Sequence, residues 1–426
     1  MKRIVILGAG FGGVEAAIEL NKLLKKDAGY EVLVVSDDNF FQFTALLPQV
    51  ASSFLNPRHI VQPVRDILRT GFRRDRVRAI DVAARQVDCA GGVLPYDHLT
   101  VALGGRTNYF GVPGAQENTH DFKTLEDAVI LRDHVIDLCE HADHTGDPAL
   151  RRRLLTFIVI GGGYTGVELL TELQDFLFHY VAPRYKGIPR SEIRLILLEA
   201  TQDILRGVDP ALAKHAAKRL KGEGLEVRRG AQVTRCFPGG VELKSGEKLE
   251  AETVVWAAGV RAHNLAEALP GPHDRIGRAL VNGHLQLEGH PEVYVVGDSA
   301  SAASAPEAPP VAPVAMMQGK VAARNIVHTE RGEPLETYRY VDLGMIVTLG
   351  MNYAVLKAGP FRLRGYLAWV LGNAIHLFRL VGLKKQVQVA LDWWLARIFP
   401  RDASIVRRPR GCRLCETSKN GTTDEH

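Results

Sequence analysis

The sequence predicts an α/β fold with two βαβ units of the same layout and a C-terminal α+β region ending in amphipathic helices. Three observations predict it. A short apolar run closing on glycines occurs twice, at Arg3 to Leu7 and at Leu155 to Ile160. Each run is followed by a helical apolar period and then by a second apolar strand. After Phe361 that layout gives way to aromatic and basic residues at helical spacing. At 426 residues the chain fits two or three domains, each large enough for its own core.

Arg3 to Leu7 reads as the first strand, Val14 to Leu24 as a helix and Glu31 to Val35 as the next strand. The opening MKRIVILGAG has the basic start and apolar run of a signal peptide, but Glu15 and Glu19 follow at once, so a strand is expected. Arg85 to Val93 and Leu99 to Leu103 read as strands around turns, and Leu125 to about Glu140 as a helix. The basic stretch Asp147 to Arg153 leads into the second unit, with a helix to about Phe176 and a strand at Arg194 to Leu198. Val227 to Leu249 has hairpin character, with turns at Pro238-Gly239-Gly240 and Ser245-Gly246. Ala302 to Pro313, rich in Ala, Pro and Ser, is expected as a loop leading to a helix from about Val314 to Ile326. The polar residues Thr417 to His426 are expected to be disordered.

Gly8, Gly10 and Gly13 spell GxGxxG directly after a strand. The first allows the tight turn, the second lets a pyrophosphate approach the backbone, and the third lets helix and strand pack closely. The helix N-terminus then offers N–H donors and partial positive charge to phosphates. With strand before and helix after, the pattern points to a Rossmann-like dinucleotide site. The acid that binds a ribose belongs at the end of the second strand, where Ser36 stands, so Asp37 one residue on is the expected contact. The second unit repeats the pattern with Gly161, Gly163 and Gly166, and Glu199 ends its following strand. A carboxylate there accepts from both ribose hydroxyls and repels a 2′-phosphate, and no arginine follows at once, so NADH is favoured over NADPH. TVVWAAGV (Thr253 to Val260, with Ala258 and Gly259) and VYVVGDSA (Val293 to Ala300, with Gly297 and Asp298) each run into a glycine, where backbone can approach a nucleotide. Asp298 is placed to accept from a ribityl hydroxyl.

In this order the motifs resemble the flavoprotein reductases with two dinucleotide-binding domains, over nearly the whole chain. Within that group the chain resembles the type II NADH dehydrogenases, single-subunit NADH:quinone oxidoreductases. The segments carrying this are FFQFTALLPQVASS (Phe40 to Ser53), YDHLTVALGGRTNYFGVPG (Tyr96 to Gly114), GGGYTGVELLTEL (Gly161 to Leu173) and YVDLGMIVTLG (Tyr340 to Gly350). The resemblance implies an FAD domain in two parts, 1–120 and 276–330, interrupted by an NADH domain at 150–275. A C-terminal region at 331–405 and a basic, polar tail at 406–426 follow. FAD is expected on Gly8, Gly10, Gly13, Asp37, Gly104, Gly297 and Asp298, and NADH on Gly161, Gly163, Gly166, Glu199, Ala258 and Gly259. Glu168, in TGVE, matches the family glutamate near flavin and nicotinamide. The quinone segment AQxAxxQ reads APVAMMQ here, so Ala315 and Gln318 are expected at the quinone, while Pro313 replaces the first glutamine and removes its amide and a backbone N–H. The implied reaction passes a hydride from NADH to flavin and two electrons onward to menaquinone or ubiquinone, without proton pumping.

Two C-terminal helices are expected, about Arg364 to Val381 and Lys384 to Phe399, divided by Gly382. Trp369, Leu371, Ile375, Phe378, Val389, Trp393, Trp394 and Ile398 supply apolar bulk, and Arg362, Arg364, Arg379, Lys384, Lys385, Arg397 and Arg401 supply charge. Such segments lie in a membrane interface, which places the protein peripherally on the cytoplasmic face of the cell membrane. The alternative is a helical pair packed on the protein's own core or on a second copy, and a homodimer is a family-based expectation. A formal charge of +5 is mild, and the run Arg407, Arg408, Arg410, Arg413 comes without any nucleic-acid-binding pattern. Cys412 and Cys415 form one CxxC with no second pair, so no metal is expected. Sulfide:quinone oxidoreductases share this layout but use cysteines beside the flavin, and Cys89, Cys139 and Cys236 fall outside the segments expected there. A redox-gated interaction protein is a reading from another class, separated from an enzyme by turnover.

Overall fold

The structure is a computed structural model that describes residues 1–25, 27, 29–68 and 71–405. β1 (Lys2–Leu7), β2 (Tyr30–Ser36), β3 (Gly71–Arg74) and β4 (His98–Val101) come from the first part of the chain. β5 (His120–Asp121), β6 (Thr156–Ile160), β7 (Arg194–Glu199), β8 (Glu226–Arg229) and β9 (Thr253–Trp256) form a separate five-stranded parallel sheet in the order β5-β9-β6-β7-β8. β10 (Ala279–Val281), β11 (Gln286–Leu287), β12 (His290–Val295) and β13 (Ala300–Ala302) then return to the first sheet, whose order is β13-β10-β11-β12-β4-β1-β2-β3. One sheet is therefore assembled from both ends of the chain segment that encloses the other. Ile4 to Leu7 and Phe157 to Val159 are buried without alternation. Central parallel strands covered on both faces require that unbroken apolar character.

The two crossover helices are α1 (Phe11–Leu23) and, after the long α2 (Leu125–His144), α3 (Tyr164–Phe176). α4 (Ala312–Arg331) packs on α1 through glycines: a Cβ on Gly319 would collide with the Gly12 carbonyl oxygen. The expected loop at Ala302 to Pro313 gives way to α4 two residues earlier than its composition implied. Pro313 lies in the first helical turn, where its missing N–H has no intrahelical partner to lose. The basic stretch Asp147 to Arg153 leads into the second unit as the helix Pro148–Leu154, capped by Asp147 accepting from the N–H groups of Ala149 and Leu150. One further expectation is corrected. Of the expected hairpin, Glu226–Arg229 belongs to the parallel sheet, and the antiparallel strands are Val233–Phe237, Gly240–Leu243 and Lys248–Glu250.

The C-terminal region is an antiparallel sheet of β14 (Met345–Thr348), β15 (Ala354–Ala358) and β16 (Phe361–Gly365), followed by α5 (Tyr366–Arg379) and α6 (Leu383–Leu395). The aromatic residues there divide between two faces. Trp369, Val389 and Trp393 are buried against the protein, whereas Leu371, Phe378, Trp394 and Ile398 are exposed. α6 is held by polar contacts: Trp393 Nε1 donates to Gln49 Oε1 at 2.7 Å, His59 meets Asp392 at 2.5 Å, and Lys385 Nζ donates to the Arg58 carbonyl at 2.6 Å. No helix among the described residues is long and apolar enough to cross a membrane. Cys412, Cys415 and the arginine run of the tail lie outside the described residues.

Candidate active site

Each glycine turn does mechanically what its spacing requires. Gly8 and Gly161 hold φ of +99° and +111°, which admits glycine alone without strain. A Cβ on Gly13 or Gly166 would collide with the carbonyl oxygen of Gly8 or Gly161 respectively, so helix and strand touch only because the side chain is absent. Around Gly10 and Gly163, by contrast, a Cβ would meet nothing within 4 Å. Both residues are N-caps that satisfy no helix N–H with a side chain, so the open space faces free donors. Each turn thus leaves room in which a pyrophosphate could sit.

A continuous cavity of about 1520 Å³ runs through the molecule. Gly8, Gly10, Asp37, Gly104, Gly259, Gly297, Asp298, Glu168 and Ala315 line it. Gly13, Gly161, Gly163, Gly166, Glu199, Ala258 and Gln318 do not. Gln318 is 2% exposed, and the Gly297 N–H donates to its Oε1 at 2.7 Å. That bond orients the amide, because a backbone N–H can only meet the oxygen. The Asp37 carboxylate is exposed and accepts from Arg76 Nε at 3.0 Å, and Lys123 Nζ stands 3.7 Å from Asp298. Glu199 is committed to its own turn: Oε2 accepts from the Gly162 N–H at 2.8 Å, and Oε1 accepts from the Thr201 N–H and hydroxyl, each at 2.8 Å.

Glu168 projects from α3 into the cavity wall, and the Thr348 N–H and hydroxyl donate to its Oε1 at 2.8 and 3.0 Å. Burial pushes its carboxyl up to about 7, against the pull of those two bonds. One turn on, Glu172 accepts from the Ser52 hydroxyl at 2.8 Å, and burial pushes it up to about 7 although Arg401 opposes the shift. His376 of α5 also lines the cavity, edge-on to Phe43 with ring centroids 6.0 Å apart, and burial with Arg379 nearby holds its imidazole down to about 4. The contacts of Thr348 with Glu168, of Arg401 with Glu172 and of His376 with the cavity are not signalled by sequence, since each joins distant segments. Cys89, Cys139 and Cys236 are buried and none lines the cavity, which leaves no thiol beside it among the described residues.

The family model of the pyridine nucleotide-disulphide oxidoreductases matches residues 2–319. The chain is 32% identical, over 95% of its length and 89% of the relative's, to a type II NADH:quinone oxidoreductase of Mycobacterium tuberculosis. It is 30% identical to one of Staphylococcus epidermidis, over 83% of this chain and 89% of that protein. The fold is that of the solved NDH2 from Plasmodium falciparum in complex with NADH, with a TM-score of 0.86 at 19% identity, covering 95% of this chain and 99% of that one. The sulfide:quinone oxidoreductase of Aquifex aeolicus superposes with a TM-score of 0.72 at 18% identity, covering 94% and 96%.

Proposed function

We propose how the residues of this chain divide the work of a type II NADH:quinone oxidoreductase, the group within the pyridine nucleotide-disulphide oxidoreductase family to which it belongs. The protein is an FAD-dependent enzyme that moves electrons from NADH to a quinone without pumping protons. Bound FAD supplies the centre that takes two electrons from the nicotinamide and gives them to the quinone. The turn at Gly8 and Gly10 and the N-terminus of α1 hold the FAD pyrophosphate, Asp37 its ribose, and Gly104, Gly297 and Asp298 its ribityl side. The turn at Gly161 and Gly163, with Glu199, Ala258 and Gly259, holds NADH. Ala315 faces the quinone, and the oriented amide of Gln318 backs that side through Gly297, menaquinone or ubiquinone being the substrate.

Quinol formation consumes two protons, and Glu168 is the group on the cavity wall that holds one near neutral pH. Thr348 occupies Oε1, so the proton resides on Oε2. Anaerobic mixing with NADH and then with a quinone analogue tests this division. Native protein is expected to bleach and recolour, whereas Glu168→Gln bleaches but recolours slowly. Equal recolouring in both removes Glu168 from the quinone half of the reaction.

The single observation that carries the membrane reading is the position of α5. Its Ile375, His376 and Arg379 line the cavity, while its Leu367, Val370, Leu371 and Phe378 face outward. Phe378 is 82% exposed and Leu383, at the start of α6, 75%. An apolar face on a segment that also carries Arg379 and Lys384 suits an anionic lipid surface, with the cavity beside it for a lipid-soluble quinone. In this reading the protein sits peripherally on the cytoplasmic face of the cell membrane. Sedimentation with anionic vesicles is expected for the native chain and lost in Phe378→Asp/Leu383→Asp. If the double variant still sediments, the reading fails; if the native chain instead runs as a dimer that the variant splits, the face belongs to a second copy.

A further inference from the structure

We infer that Glu172, Ser52 and Arg401 form a positioning group for Glu168: a second carboxylate one turn behind it that holds or releases a proton against a serine hydroxyl, steadied by an arginine from the far end of the chain. This rests on the assignment of Glu168 to the quinone half of the reaction and concerns what sets its readiness to give a proton.

Glu168, Glu172 and Asp175 share one face of α3, at spacings that leave neighbouring Cβ atoms about 6 Å apart. Each is met by a different segment. Glu168 Oε1 takes the Thr348 N–H, and Asp175 Oδ2 takes the Met351 N–H. A backbone N–H only donates, so it fixes the oxygen it meets as an acceptor. Glu172, which is 2% exposed, is met instead by the hydroxyl of the fully buried Ser52. Ser52 Oγ stands 2.8 Å from Glu172 Oε2 and 3.2 Å from the Gln49 carbonyl oxygen. A hydroxyl carries one hydrogen and accepts through its lone pairs, so this arrangement is complete in two states. With Glu172 ionised, Ser52 donates to it. With Glu172 protonated, the carboxyl donates to Ser52 Oγ and Ser52 turns its hydrogen to Gln49. The Gln49 carbonyl already takes the N–H groups of Phe54 and Leu55 at 2.8 and 3.0 Å, so the hydroxyl turns there only when Glu172 carries the proton.

Arg401 closes the group from the C-terminal side. Its Nη1 donates to the Ser52 carbonyl at 3.0 Å, and its guanidinium lies over the Phe54 ring, 5.0 Å from the centroid. Those two contacts grip the turn at Ser53, which holds a φ of +56°, and with it the direction of the Ser52 hydroxyl. The charged groups facing Glu172 are Glu168 and Asp175 on its own helix, the latter paired with His179, and Arg401 across from it. The segment Leu47 to Phe54 brings only uncharged side chains. Arg401 favours the ionised form of Glu172, and an ionised Glu172 strengthens the hold of Glu168 on its own proton. NADH, a quinone and one proton from the medium give NAD⁺ and quinol, the hydride supplying the other proton. Glu168 must therefore be refilled in each cycle, and the carboxylate a turn away sets the pH range over which it is.

The test follows reoxidation of the NADH-reduced protein by a quinone analogue as a function of pH, where the rate is expected to fall as pH rises past the point at which Glu168 loses its proton. Glu172→Gln removes a like charge and is expected to move that alkaline limb down by about half a pH unit or more, the scale for carboxylates about 6 Å apart. Arg401→Gln is expected to move it up, Arg401→Lys to leave it near the native position, and Glu172→Gln/Arg401→Gln to match Glu172→Gln alone. Ser52→Ala, which removes a hydroxyl and no charge, is expected to move the limb up as well, and it keeps the test open should Arg401→Gln lose its FAD. If Glu172→Gln leaves the limb in place, or if Arg401→Gln still shifts it in the absence of Glu172, the inference falls and Ser52 and Arg401 are structural ties alone. Should Glu168→Gln reoxidise at the native rate, the failure lies earlier, in the assignment of Glu168. Retention of FAD absorbance and of the native melting profile separates these outcomes from misfolding.

Discussion

The two glycine turns are nearly the same object, and the acids that accompany them are not. Gly8, Gly10 and Gly13 repeat in Gly161, Gly163 and Gly166 down to which Cβ would clash and which would meet open space. Yet Asp37 sits on the surface, one residue past its strand and paired with Arg76, while Glu199 ends its strand and bonds both its own glycine turn and Thr201. The first acid reaches out to Arg76; the second shapes its own glycine turn. A cofactor that stays bound draws on contacts along the whole cavity, so a single acid matters less. A coenzyme that enters and leaves in each cycle depends more on one well-built corner.

Breaking the glycines should have the largest effect and should separate the two halves. Gly13→Ala forces a methyl against the Gly8 carbonyl, an overpacking cost of roughly 1–3 kcal/mol or more, and is expected to yield protein without FAD absorbance. Gly166→Ala is expected to retain FAD but to be reduced by NADH at least about tenfold more slowly. If both variants lose FAD alike, the turns are not separately assigned.

Glu168→Gln is expected next, slowing reoxidation by quinone roughly 10- to 100-fold, the scale of one proton-transferring group. The same variant sharpens a stability comparison. Glu168 titrates near 7 in the fold against an ordinary value of 4.5, so the folded state binds more protons than the unfolded one between these values. Its contribution is therefore fully present below about 4.5 and is lost as pH rises through about 7. Relative to native protein, Glu168→Gln should gain thermal stability at pH 8 and little at pH 5, because Gln Oε1 still accepts from Thr348. A gain independent of pH would show that Glu168 does not titrate there.

The smallest effect tests the acids directly. Glu199→Ala removes a ribose contact and three hydrogen bonds of the turn, and should raise KM for NADH by about tenfold or more. Asp37→Ala removes an exposed group whose pairing with Arg76 is worth little, and FAD retention on dilution should change only a few-fold. Equal effects at the two positions would erase the distinction drawn between them.

The glycine spacings, the order of the strands and the amphipathic C-terminus were legible because each depends on neighbours a few residues apart. Asp147 before Pro148 is a local cap signal, and the structure puts a helix there. Trp369, Val389 and Trp393 could not be sorted from Phe378 and Trp394 by period, because an aromatic stripe suits a protein core and a membrane equally.

The sequence by itself determined two dinucleotide folds, a family and the glycines of the two turns, since those follow from local backbone geometry. Tertiary structure decided that Thr348 takes one oxygen of Glu168, that Arg401 reaches Glu172, that His376 stands in the cavity wall, and that Gln318 turns its oxygen to Gly297. A carboxylate's pKa is set by what surrounds it in space, and the chain brings those surroundings together only when its distant segments pack.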